Sequence, residues 1–228
     1  MEHCIADIQY CENLFNSFYD IGGTENGGVT RLGYTEQEDR MHAVLTKLGR
    51  ELQCQVEEDE AGNTYVMNNQ YSDYYLIGSH LDSVIEGGRY DGVAGIIAGL
   101  MVMKWAKEEG MKVPIRVGAF RCEESSNFGC CTIGSGLITR EIYKQDIGGL
   151  VSKEGETLEA IFCRRKLNLH PAKITGIRQY LELHIEQGPI LDAEGIPIGA
   201  VENLQGISWQ KVTIQGVANH AGTTPTAM

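Results

Sequence analysis

His80 and Asp82 stand two residues apart at the end of a short apolar run, Tyr74 to Gly78. In an extended chain, residues at that spacing point the same way, so a carboxylate can hold the second ring nitrogen of a metal-binding imidazole. Asp91 follows just ahead of a long apolar segment, where a helix dipole would keep it ionised, as a ligand shared between two cations requires. Two more β-prone runs finish in similar groups. Pro114 to Phe120 leads into Glu123 and Glu124, and Gln179 to Ile185 brings His184, then Glu186 and Gln187. Two imidazoles and several carboxylates, with no cysteine among them, suit zinc, manganese or cobalt in a hydrolytic site. Neighbours on an extended segment face opposite ways, so Glu123 and Glu124 are expected to divide the work, one ligating and the other moving a proton. A plainer reading stands beside this one: His80 and Asp82 satisfying each other under a loop, Asp91 as a helix cap, and the acid pair as a solvated edge.

These groups meet only if the strands that carry them end together. Strand Tyr74 to Ser79, a helix from Gly92 to Glu109 and strand Pro114 to Phe120 form a crossover, which predicts a mixed, largely parallel α/β sheet. In such sheets the functional crevice lies at the carboxyl ends of the strands. The helix carries Val93, Ile96, Ile97, Leu100, Met101 and Met103, too many apolar residues for a surface stripe, and is expected to be buried. Upstream, Cys4, Ile8, Cys11, Phe15 and Phe18 predict an opening amphipathic helix. Thr35 to Glu38 reads as a capping box for a second helix with Met41, Val44, Leu45 and Leu48, stopped at Gly49. Leu52, Cys54 and Val56, a turn at Glu60 to Asn63, and Thr64 to Met67 predict a hairpin, and Thr157 to Lys166 reads as a helix. Ile196 to Val201 and Ile207 to Gln215 look like antiparallel strands, so a domain junction is expected near Gln205, dividing 1–205 from 206–228.

The 228 residues carry 19 basic and 31 acidic side chains, a formal charge of −12, which repels a phosphate backbone and argues against a nucleic-acid partner. The N-terminus has acids in place of a basic leader region, and the longest apolar stretch, Val93 to Met103, is too short for a membrane span, so a cytoplasmic protein is expected. Seven cysteines form an odd set with no C-x-x-C pair, consistent with reduced thiols. GGRYDGVAG has no lysine after its glycines and holds an acid where a phosphate would sit, so it is not a P-loop. No G-x-S-x-G elbow supports serine hydrolase chemistry.

GSHLDSVIEGGRYDGVAG, RCEES, LELHIEQGP and ANHAGTTP, with GGVTRLGYTEQED and DEAGN upstream, resemble the family of N-carbamoyl-L-amino acid hydrolases, β-ureidopropionases and allantoate amidohydrolases, within the dinuclear zinc aminoacylase and carboxypeptidase superfamily. The resemblance implies a zinc-exopeptidase-like α/β fold with helices on both faces of the sheet, followed by the start of a small α+β lid or dimerisation domain. It implies that His80 and His184 hold one metal, that Glu124 holds a second, that Asp91 bridges them and that Asp82 orients His80. Glu123 would be the general base for a metal-activated water attacking a ureido or amide carbonyl, Gln187 would contact substrate, and His220 would stabilise the oxyanion, reaching a partner subunit's site in a homodimer.

One departure is Asn127, where the family has arginine. The resemblance also implies a longer chain, with the rest of the lid, an arginine for the substrate carboxylate and the last metal-binding histidine beyond Met228. On that basis this chain is expected to hold at most one of the two metal ions firmly and to be weak or inactive alone. A dipeptidase or aminoacylase on the same scaffold, or a non-catalytic metal-binding fragment, are the alternatives.

Overall fold

A computed structural model describes residues 2–206, 208, 210 and 212–225, with the side chains of residues 2–4 outside the description. The chain divides into two units, Met1–Ile185 and Glu186–Met228. In the first, helices α1 (Glu2–Tyr19) and α2 (Glu36–Glu51) precede the hairpin β1 (Gln55–Glu58) and β2 (Thr64–Met67). Then come β3 (Tyr74–His80), α3 (Val93–Glu108), β4 (Ile115–Phe120), α4 (Ile133–Thr139), α5 (Lys144–Ile147), α6 (Leu158–Arg165) and β5 (Ile177–Leu181).

The sheet runs β1-β2-β4-β3-β5. β3 pairs in parallel with both β4 and β5, while the hairpin joins antiparallel to β4, so the sheet is mixed. β3, α3 and β4 form the expected crossover, and the three parallel strands end along one edge. Side-chain alternation sends Val66, Ile77 and Val117 into a core with α1, α2 and α3, and sends Tyr65, Met67 and Leu76 into a second core with α4 and α6. Both faces are therefore covered, which explains the near-continuous apolar reading of β3.

Helix α3 is buried along most of its length, with Ile96, Leu100 and Met103 at 0% exposure. Its cap is Gly92 at φ 66°, so Asp91 lies one residue ahead of the cap. Glycine is needed there: a Cβ would meet His80 O at 2.4 Å.

Two local expectations change. Thr35 precedes α2 but makes no side-chain cap; its hydroxyl donates to Leu32 O instead. Glu38 is fully buried, its place on the Glu38, Met41, His42, Leu45 stripe having turned it inward. The strand expected at Gln179 to Ile185 begins and ends earlier, at Ile177–Leu181, because its register with β3 closes at Ile77 opposite Leu181.

In the second unit the described residues form α7 (Ile190–Glu194) and no strand. Ile196 to Val201 is extended in sequence pattern only; a lone pair of strands needs further strands to bury its apolar face, and Ile198 and Val201 remain exposed. Part of the run Ile207 to Gln215 lies outside the described residues.

Candidate metal centre

His80, the last residue of β3, is 3% exposed, and its Nδ1 lies 3.1 Å from the main-chain oxygen of Asp82 and 3.4 Å from Asp82 Oδ1. That arrangement turns Nδ1 to Asp82 and leaves Nε2 facing the acids: Asp91 Oδ1 at 3.9 Å and Glu123 Oε2 at 3.9 Å. His184, past the end of β5, has Nε2 3.2 Å from Asp91 Oδ1 and Nδ1 2.7 Å from Ile185 O. Ligand atoms of His80, Asp91 and His184 fall within 4.8 Å of one another, and so do those of His80, Glu123 and Glu124. His80 is common to the two sets.

Glu123 and Glu124 were expected to face opposite ways, yet their carboxylates lie close together. The backbone is not extended there. Cys122 has φ 52°, and the buried carboxylate of Asp82 accepts from both Glu123 N, at 3.1 Å, and Glu124 N, at 3.0 Å, curling the chain around itself. Asp82 thus serves the imidazole and both acids.

A second buried acid acts one residue earlier. Glu38 accepts from Cys122 N at 2.8 Å, Tyr34 N at 2.6 Å and Arg121 Nη1 at 3.0 Å. Burial pushes its carboxyl up to about 7 against the pull of Arg121. In the sequence Glu38 belongs to the capping box of α2, and its position on the apolar stripe with Met41, His42 and Leu45 is the signal for its burial.

Charge crowding explains what the cluster can bind. Burial alone would lower His80, but the hydrogen bond and charge of Asp82 together with Glu123 and Asp91 outweigh it and raise the imidazole to about 9. Burial and the charge of Glu123 raise Glu124 to about 6, and burial raises Glu123. Several acids held together in a half-buried cluster, with two imidazoles turning Nε2 toward them, form a site whose field calls for a cation. Nitrogen and oxygen donors without sulfur fit zinc, manganese or cobalt.

The segment carrying His184 lies directly on α3, where a Cβ at Gly95 would meet Leu183 O at 2.7 Å and Ser79 Cβ at 2.7 Å. Gly95→Ala is expected to destabilise the protein by about 1–3 kcal/mol through overpacking, measured by urea unfolding.

Glu186 belongs to the second unit and accepts from Ile190 N and Leu191 N at the start of α7, so it works as a helix cap. Gln187 and His220 also lie in that unit, where His220 Nδ1 accepts from Gly222 N at 3.1 Å in a local turn. Asn127 is 6% exposed and spans Gly33 O and Lys153 N, a packing role. A groove of about 740 Å³ elsewhere, lined by Asp39, His42, Arg50, Glu58 and Arg121 among others, mixes both charge signs and lies apart from the ligand sets.

Known proteins resemble this chain in sequence and fold. The chain is 35% identical over 221 residues to an N-carbamoyl-L-amino acid amidohydrolase of Geobacillus stearothermophilus, covering 92% of this chain and 53% of that one. It is 34% identical over 212 residues to an allantoate amidohydrolase of Bacillus subtilis (strain 168), covering 89% and 51%. A crystal structure of a hydantoinase/carbamoylase family amidase from Burkholderia ambifaria superposes with TM-score 0.75 at 31% identity, covering 82% of this chain and 47% of that one. The chain spans about half the length of the curated relatives it matches. No described helix is long and apolar enough to cross a membrane. Residues 76–227, the stretch that contains every ligand candidate, match the model of peptidase family M20/M25/M40, and the chain belongs to that family.

Proposed function

We propose that this chain carries the metal centre of an amidohydrolase that cleaves a non-peptide C–N bond in a linear amide of the N-carbamoyl-L-amino acid or allantoate type. The observation that carries the reading is the meeting of His80, Glu123, Glu124 and His184 at the ends of three parallel strands, with Asp91 between the two imidazoles. The names of the relatives support the substrate class.

On this reading His80, Asp91 and His184 would hold one divalent ion, and Glu124 would contribute to a second. A bound divalent ion supplies Lewis acidity, polarising the scissile carbonyl and acidifying water. The remaining chemistry belongs to the chain. Glu123, half-buried and raised by that burial, takes the proton of the attacking water and delivers it to the leaving nitrogen. Asp82 holds the Glu123 backbone, so the base stays in register with His80. Gln187 is proposed to contact substrate. His220, in a lid domain beginning near residue 206, is proposed to stabilise the oxyanion across a homodimer.

Metal content and turnover test this together. About one zinc, manganese or cobalt per chain is expected, lost in His80→Ala and largely kept in Glu124→Ala. Glu123→Gln should keep the metal yet lower any measurable kcat by roughly 10²- to 10⁴-fold. A wild-type chain that binds no divalent metal sinks the reading, and faster turnover of dipeptides than of carbamoyl compounds moves it to a peptidase.

A further inference from the structure

We propose that Glu182 is a positioning residue that seats His184 at the metal centre, by clamping the chain beyond β5 onto the end of β3. The purpose of the clamp rests on the metal-centre reading above; its geometry does not.

The backbone ladder between β3 and β5 ends at Ile77 opposite Leu181, three residues short of His184. Side chains take over from there. Ser79 Oγ donates to Glu182 Oε1 at 2.5 Å, and Tyr180 Oη donates to Glu182 Oε2 at 2.7 Å. Ser79 is 2% exposed and adjoins His80, so Glu182 ties the approach to His184 directly to the neighbour of the other imidazole. Tyr180 is held in turn, its hydroxyl 3.1 Å from Gly78 O and its ring edge-on to Phe120 with centroids 6.0 Å apart.

A carboxylate suits this work. Its two oxygens accept two hydroxyls at once, and O–H···O⁻ bonds of this length are about twice as strong as neutral ones. Apolar packing offers little alternative, since Leu181 is 64% and Leu183 40% exposed. Tyr180, Glu182 and His184 alternate at the period of an extended chain, so two positions ahead of the ligand are given to holding it.

The test is ¹⁵N-imidazole NMR of the metal-free chain, together with Co²⁺ titration followed by absorption. Wild type, Glu182→Ala, Glu182→Gln and the double variant Ser79→Ala with Tyr180→Phe are compared, with His184→Ala to assign the signal. In the wild type His184 should show one sharp set of ring signals, that of a single seated imidazole. Glu182→Ala should shift and broaden those signals, shift the cobalt d–d bands and weaken Co²⁺ binding about tenfold or more, the range for partners that orient ligands. Glu182→Gln keeps one oxygen for Ser79 and should recover most of the affinity, which a general loss of stability would not do. Unchanged His184 signals and unchanged affinity in Glu182→Ala overturn the proposal. Where that variant does not fold, unchanged His184 signals in the double variant Ser79→Ala with Tyr180→Phe, which takes both hydroxyls from Glu182, overturn it instead. A wild-type chain that takes no Co²⁺ while Glu182→Ala still disturbs His184 defeats the metal centre and leaves the clamp standing.

Discussion

Asp82→Asn is expected to weaken divalent-metal binding by roughly 10- to 100-fold and to lower stability by about 1.5–3 kcal/mol. The residue is fully buried, and three N–H groups converge on it: Nδ1 of His80 and the amides of Glu123 and Glu124. Asparagine offers one acceptor oxygen where the carboxylate has two. Its amide nitrogen would then oppose one of the backbone N–H groups, leaving two donors face to face. Both ligand sets lose position, since His80 belongs to each and the acids hang on the released loop. Isothermal titration with Zn²⁺ or Co²⁺ beside urea unfolding separates the two effects. An affinity within twofold of wild type would show that His80 and the acid pair are held by other contacts.

Arg121→Met should cost about 3–5 kcal/mol, the range for breaking a buried ion pair. Arg121 is 5% exposed and donates to Glu38 Oε2, to Asp39 Oδ1 at 2.6 Å and to Gly62 O at 2.9 Å. Without it, Glu38 is a buried acid held only by the amides of Tyr34 and Cys122. Its pH dependence gives the cause away. Glu38 already stands raised to about 7, and loss of the guanidinium raises it further. An acid raised in the folded state above its unfolded value of 4.5 favours folding below that value and loses the contribution as pH climbs through the folded pKa. The gap between variant and wild type should therefore widen from pH 6 to pH 8, by up to about 1.4 kcal/mol per pH unit. Adding Glu38→Gln should recover part of the loss and flatten the slope. A gap independent of pH would assign the damage to the lost Gly62 and Asp39 bonds instead.

Much of the scaffold was legible because its signals are local. The alternating and continuous apolar runs of β2, β3 and β4 and the all-round apolar surface of α3 state their burial within a few residues, and His80, Glu123 and Glu124 follow strands whose ends are readable. The N-terminal boundary of β5 and the loss of strands at 196–201 were not legible, since pairing partners decide them and the partners lie elsewhere in the chain.

By itself, the sequence determined which residue types could form a cation site, and that three strand ends would present them, because hydrophobic periodicity and crossover topology follow from neighbours along the chain. Only the tertiary structure decided how those groups are held. Asp82 to Glu123 and Glu124 spans some forty residues and Glu38 to Cys122 some eighty, as does no pattern read in a window. Glu38 illustrates the reason. The same stripe position that elsewhere calls for leucine here takes a carboxylate, because two donors from a distant segment, on Arg121 and Cys122, arrive there beside the nearby amide of Tyr34, and an unsatisfied buried N–H would cost more than a buried acid that receives them.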